Sequence, residues 1–146
     1  MEPKQKGNLT ELKCIAAFYE LGYSVSIPYG ENSRYDFIAD INGKLIRVQI
    51  KTSHQVTKGD NSSYIFSCRS SRSSRTHCIN KKYTSSEIDY FSTFILGKCY
   101  LIPISECSTA KTLRFSKPKN GKKRESYNLA SDYELEKQIN KLLAKN

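Results

Sequence analysis

Apolar and polar positions alternate most cleanly over residues 34–53, Arg-Tyr-Asp-Phe-Ile-Ala-Asp-Ile-Asn-Gly-Lys-Leu-Ile-Arg-Val-Gln-Ile-Lys-Thr-Ser. Asn42-Gly43 stands between two alternating runs, which predicts two short strands joined by a tight hairpin turn. In the first strand Tyr35, Phe37, Ala39 and Ile41 share one face, and Arg34, Asp36, Ile38 and Asp40 the other. In the second, Ile46, Val48 and Ile50 oppose Arg47, Gln49 and Lys51. One surface of the hairpin thus carries a carboxylate (Asp36), an amide oxygen (Gln49) and an ammonium (Lys51). Together they form a cradle for a hard divalent cation and a phosphate. The plainer reading of Asp36 and Lys51 is a cross-strand ion pair on a solvated face, which contributes little.

A helical period occupies residues 8–21 and stops at Gly22. Leu9, Leu12, Ile15, Ala16 and Tyr19 form an apolar face that continues through Phe18 and Cys14. Asn8 is a suitable N-cap and Glu11 lies three residues on, as in a capping box. Glu11 also falls inside the apolar arc, between Phe18 and Ile15, whereas Lys13 and Glu20 lie outside it. A carboxylate aimed at a core needs a cation as partner. Cap and functional carboxylate both account for Glu11 at this point.

Further strands are expected at residues 23–28, 63–68, 90–96, 99–104 and 112–116, with Gly97-Lys98 as a hairpin turn. A second helix is expected at 131–145, where Tyr133, Leu135, Ile139, Leu142 and Leu143 make an apolar stripe. Glu87 and Asp89 read as a turn that orients the following strand, outside any site. A chain of 146 residues is one domain by size, and no internal repeat or linker divides it.

Charge changes the picture. The chain holds 24 Lys+Arg against 14 Asp+Glu, a net +10 with a pI near 9.4. That balance points to a polyanionic partner, nucleic acid first. No apolar run reaches the ~20 residues of a membrane span, and the N-terminus lacks the apolar core of a signal peptide. The five cysteines, an odd number with no C-x-x-C pair, read as reduced thiols of an intracellular, cytoplasmic protein. His77-Cys78 beside Cys68 matches no standard zinc spacing.

The positive charge is clustered. A polar, turn-rich stretch at 54–63 and the run Arg69-Ser-Ser-Arg-Ser-Ser-Arg-Thr-His-Cys-Ile-Asn-Lys-Lys-Tyr83 read together as a basic loop region over about 54–83. Its arginines recur every third residue among small hydroxyls. Guanidinium and hydroxyl groups are the usual donors to DNA phosphates, and arginine also reads guanine. Arg69, Arg72, Arg75, Lys81 and Lys82 are therefore DNA-binding candidates, with a disordered Ser/Arg-rich loop as the other reading. Lys117, Lys119, Lys122, Lys123 and Arg124 form a second basic loop at about 117–125, either a phosphate-contacting element or a plain exposed loop.

Helix-borne Glu11, the Arg-Tyr-Asp36 strand start and Val-Gln49-Ile-Lys51-Thr-Ser resemble the core of the PD-(D/E)XK nuclease superfamily. The resemblance is closest to its homing endonucleases encoded in group I introns of bacterial or phage-like origin. It covers residues 5–55, with looser agreement beyond. It implies an α/β fold, a restriction-endonuclease-like mixed sheet flanked by helices. Residue by residue, Glu11 corresponds to the helix glutamate, Asp36 to the metal-binding aspartate and Lys51 to the motif lysine. Gln49 stands where most members have an acid, which removes one anionic ligand. Asp36, Glu11, the Gln49 amide oxygen and the Ile50 carbonyl are the implied ligands of Mg²⁺, with Mn²⁺ able to substitute. Lys51 would orient water and stabilise charge.

These readings converge on a Mg²⁺-dependent endonuclease that cuts double-stranded DNA at specific sites, working as a homodimer or homotetramer because a double-strand cut needs two active sites. Two other classes compete: a structure-selective nuclease such as a Holliday-junction resolvase, and a DNA-binding module without catalysis.

Overall fold

The structure is a computed structural model, and it describes residues 1–73, 78–117, 121 and 127–145. Helix α1 spans Pro3–Glu20, five residues earlier than the periodicity suggests. Its true start is set by Pro3 in the first turn and by Gln5, whose Oε1 accepts the Glu2 backbone N–H at 3.0 Å. Glu11 therefore lies mid-helix, and the capping explanation for it falls. The inner face also differs from the expected one. Cys14 and Phe18 are buried with Ile15 and Ala17 packed alongside, whereas Leu12 and Tyr19 are 65% and 71% exposed. Both flanks of the helix are apolar in sequence, so only packing decides which one turns inward.

Among the described residues ten strands follow: β1 (Ser24–Ser26), β2 (Phe37–Ile41), β3 (Lys44–Ile50), β4 (His54–Gln55), β5 (Ser63–Ser67), β6 (Arg69–Ser73), β7 (Cys78–Lys82), β8 (Tyr90–Ile95), β9 (Lys98–Pro103) and β10 (Ala110–Arg114). Helix α2 (Leu135–Ala144) closes the chain, preceded by a 3₁₀ turn at Ala130–Tyr133. The central sheet has the order β1-β2-β3-β8-β9. Its pairs are antiparallel except β3 with β8, which is parallel. The expected mixed sheet with flanking helices is thus the observed architecture. A second sheet, β10-β5-β4, and a separate ribbon, β6-β7, come from the crossover between β3 and β8 and from the chain after β9.

Both faces of the central sheet are covered. On one, α1 and α2 bring Phe18, Leu135, Ile139 and Leu142 onto Phe37, Val48 and Leu101. On the other, the second sheet and the 3₁₀ turn bring Phe66, Leu113 and Tyr133 onto Phe91 and Ile102. Burial on both sides explains the almost unbroken apolar run of β8 and β9. No helix among the described residues is long and apolar enough to cross a membrane.

The β2–β3 hairpin turns where expected. Asn42 and Gly43 both have positive φ (54° and 92°), as a two-residue turn with the strands' own twist requires, and Asp40 Oδ1 accepts the Gly43 N–H at 2.7 Å. The β8–β9 turn is less comfortable, because Leu96 holds φ 49° ahead of Gly97 while its side chain is 54% exposed. A left-handed leucine costs about 1 kcal/mol with no packing to offset it. Leu96→Asn is expected to raise stability by roughly 0.5–1 kcal/mol, read as a higher midpoint in chemical denaturation.

Within the region at 54–83 the strand expected at 63–68 is β5 (Ser63–Ser67), and the stretches read from sequence as loop hold three more, β4, β6 and β7. The Ser/Arg-rich part is an antiparallel ribbon pairing Arg69 with Lys82 and Ser73 with Cys78. No apolar alternation announces it, because the ribbon is outside the main sheets and needs none. The second basic loop lies mostly outside the described residues, as do Lys119, Lys122, Lys123 and Arg124.

Candidate active site

The end of the β2–β3 hairpin away from its turn gathers the polar residues. Asp36 precedes β2, and its backbone N–H donates to Val48 O at 2.8 Å, which extends the ladder by one residue. Its Oδ2 accepts the backbone N–H of Ile50 at 2.8 Å. That bond fixes the carboxylate at the β3 exit and leaves Oδ1 without a hydrogen-bond partner among the described residues. Burial pushes the Asp36 carboxyl above its usual range, against the lowering influence of the Ile50 N–H and of Lys51.

Glu11 reaches the same place from α1, since it shares the inner face with Cys14 and Phe18 at helical spacing. Its carboxylate makes no hydrogen bond to a described residue. Burial, and then the charge of Asp36, hold its carboxyl above the ordinary range. Gln49 Nε2 donates to Ile50 O at 3.3 Å, leaving the Gln49 amide oxygen available.

Lys51 leaves the strand on the far side of Asp36. Its backbone N–H donates to Ser92 O at 2.9 Å, and its Nζ donates to the carbonyl of Arg69 at 2.7 Å and lies 5.2 Å from the Tyr83 ring centroid. Burial lowers its ammonium from the ordinary lysine range, Asp36 works against that, and the like charge of Arg34 adds to it. The ammonium is thus tied to the foot of the basic ribbon. Asp36 thus has the charges of Glu11 and Lys51 for neighbours, with Gln49 and Ile50 at the end of β3 beside it.

Arg34 is the residue that sequence reasoning left without a role. Its guanidinium lies 3.9 Å over Tyr83 and donates to Glu87 Oε2 (3.0 Å), Ser70 Oγ (2.7 Å) and the carbonyls of Lys81 and Lys82 (3.5 and 3.2 Å). It joins the ribbon to the strand that carries Asp36. Its partners are 36–53 residues away in sequence, so no local pattern reports them. Glu87 is taken up by Arg34, and Asp89 by a forked pair with Arg47 at 2.9 and 3.0 Å. Neither acid belongs to the site, in keeping with the sequence.

Among the other candidates, Arg69 is half-buried at the start of β6, and Lys81, Lys82 and Lys117 are exposed. The side chains of Arg72 and Arg75 lie outside the described residues. Among the described residues no three His, Cys, Asp or Glu cluster as a metal site. Cys14, Cys68, Cys99 and Cys107 are free thiols.

An aspartate at the entry to β2, a helix glutamate, and a lysine two residues after a glutamine at the exit from β3 are set on a mixed sheet. The sequence matches the PD-(D/E)XK endonuclease family over residues 1–136, nearly its whole length, and the chain belongs to that family. No curated protein sequence matches it. Among solved structures, that of a bacterial homing endonuclease, I-Ssp6803I, is similar in fold. It superposes with a TM-score of 0.78 at 22% identity, covering 99% of this chain and 97% of the other.

Proposed function

We propose that the chain is a Mg²⁺-dependent endonuclease that cuts double-stranded DNA at specific sites. The single observation that carries the metal part is the pair of half-buried carboxylates, Glu11 and Asp36, of which the Glu11 oxygens and Asp36 Oδ1 have no hydrogen-bond partner among the described residues. Asp36 Oδ1, the Glu11 carboxylate, the Gln49 amide oxygen and the Ile50 carbonyl form an all-oxygen donor set, which suits a hard cation such as Mg²⁺ or Mn²⁺ and not a soft one. When bound there, the cation would supply charge neutralisation and a more acidic water. The chain's own work is positional. The Ile50 N–H orients Asp36, and Lys51 offers its ammonium to the phosphate oxygens and the attacking water. Gln49 in place of a second strand acid lowers the negative charge of the cradle.

The basic ribbon supports the DNA part. A two-stranded ribbon fits the major groove, and this one carries Arg69, Lys81 and Lys82, with Arg72 and Arg75 in the same segment. Lys117, Lys119, Lys122, Lys123 and Arg124 are the further candidates for phosphate contact. One reaction centre per chain cuts one strand, so double-strand cleavage calls for a homodimer or homotetramer. The test is to digest a randomised plasmid library and sequence the ends, beside a four-way junction substrate. Paired breaks at one recurrent sequence support the reading. Resolution of the junction without sequence preference would replace it with a structure-selective nuclease.

The perturbed groups set a pH profile. Asp36 and Glu11 must lose protons to hold a cation, and both hold them more tightly than ordinary carboxyls. Cleavage should therefore rise with pH beyond the ordinary carboxylate range. It should fall again on the alkaline side, below the ordinary lysine range, as Lys51 loses its proton. Protons and metal compete for the carboxylates, so raising Mg²⁺ should move the acid limb to lower pH. Initial nicking rates on plasmid against pH at two Mg²⁺ concentrations check this, and an acid limb that ignores Mg²⁺ would contradict it.

A further inference from the structure

A shallow cleft of about 180 Å³ lies beside the reaction centre, lined by Lys6, Leu9, Thr10, Lys13, Thr52, Ser53 and Phe94. It joins one flank of α1 to the chain that leaves β3 immediately after Lys51. Two lysines and three hydroxyl residues face it, and no acid does. Lys6 and Lys13 are two helical turns apart, so they share one side of α1. Neither pairs with a carboxylate among the described residues. The Lys13 ammonium is placed 5.2 Å from the Phe94 ring centroid, which holds it at the cleft wall.

A second observation is independent of the lysines. Thr52 is half-buried, yet neither its hydroxyl nor its backbone N–H donates to any described residue. The Ser53 backbone N–H has no acceptor among the described residues either, while its hydroxyl is turned to Thr93 at 2.6 Å. Half-buried donors without acceptors need water or a ligand. Here Thr52 and Ser53 line the same cleft as two lysines, a setting that favours an anion.

We propose that this cleft is a subsite for a backbone phosphate of the DNA, neighbouring the phosphate at Lys51. The proposal rests on the nuclease reading and extends it. The strand would run from the basic ribbon, across Asp36 and Lys51, to Lys6 and Lys13. None of these cleft residues is in the reaction centre, so they hold the strand without touching the reacting atoms.

The test measures binding and not cleavage. A fluorescent duplex of arbitrary sequence is titrated in EDTA at several salt concentrations with wild type, with Lys6→Ala/Lys13→Ala, and with Lys44→Ala/Lys141→Ala. The last variant removes the same charge from exposed positions elsewhere. The cleft variant should bind more weakly and lose about 0.9 from the slope of log K against log salt for each phosphate contact removed. The control should keep the wild-type slope. Equal slopes in wild type and cleft variant would overturn the subsite, as would equal losses in both variants or no binding by wild type. Cleavage of the randomised plasmid library by wild type in Mg²⁺, run separately, reports on the nuclease reading. A cleft effect on binding with no cleavage anywhere in the library would keep the subsite and sink the nuclease.

Discussion

Asp36→Asn is expected to abolish Mg²⁺-dependent cleavage, by about a thousandfold or more, while making the metal-free protein more stable. A cation held by Asp36 would supply several kcal/mol of charge stabilisation, and each 1.36 kcal/mol is a tenfold rate. Asparagine is isosteric and its carbonyl can still accept the Ile50 N–H, so the local backbone has no reason to move. The stability effect follows from the sign of the shift. The folded state holds the Asp36 proton more tightly than the unfolded chain does. Ionisation therefore costs stability as pH rises from the ordinary carboxylate range through the raised one, and the whole cost is present at neutral pH. A neutral side chain removes it. Loss of Lys51's counter-charge works the other way, but burial is the larger influence on Asp36. Thermal melts of wild type and variant in EDTA, then in Mg²⁺, read both halves. The variant should melt higher in EDTA and gain nothing from Mg²⁺. A variant that melts lower in EDTA, or that still gains from Mg²⁺, would show that the carboxylate's role is structural.

Lys51→Met should cut the cleavage rate by roughly a hundred- to a thousandfold, the usual loss when one donor to a developing charge is removed. Methionine keeps the length of the side chain without its ammonium. Metal binding should survive, because Asp36, Glu11 and Gln49 are untouched, and calorimetric titration with Mn²⁺ checks that. The variant also breaks the bond from Nζ to Arg69 O, so the foot of the ribbon loses one anchor. Arg34 still holds Ser70 and the Lys81 and Lys82 carbonyls, which should preserve the ribbon and DNA binding. Weak cleavage with intact DNA and metal binding is the expected pattern. Unchanged cleavage would remove Lys51 from the reaction.

Much of this site could be read along the chain because its residues are close in sequence. Asp36, Gln49 and Lys51 lie on one hairpin, and period-two alternation around Asn42-Gly43 places them on a common surface without tertiary information. Glu11 is less legible: its position in an apolar arc competes with an apparent cap at Asn8, and only the start at Pro3 removes that cap. The ribbon has no strand signature because such signals rely on buried apolar residues, whereas it pairs Ser70, Ser71, Asn80 and Lys81. Arg34 shows the same limit from another side. It is a polar residue at a strand start until the fold delivers Tyr83, Glu87 and Ser70 to it.

The central claim is that Glu11, Asp36, Gln49, Ile50 and Lys51 form a metal-dependent phosphodiester-cleaving centre. The most direct measurement is conversion of supercoiled plasmid to nicked and linear forms by wild type and Asp36→Asn, side by side in Mg²⁺ and in EDTA. Cleavage by wild type in Mg²⁺ alone, absent in the other three lanes, is the predicted result. Cleavage that persists in EDTA, or in Asp36→Asn at the wild-type rate, would contradict it.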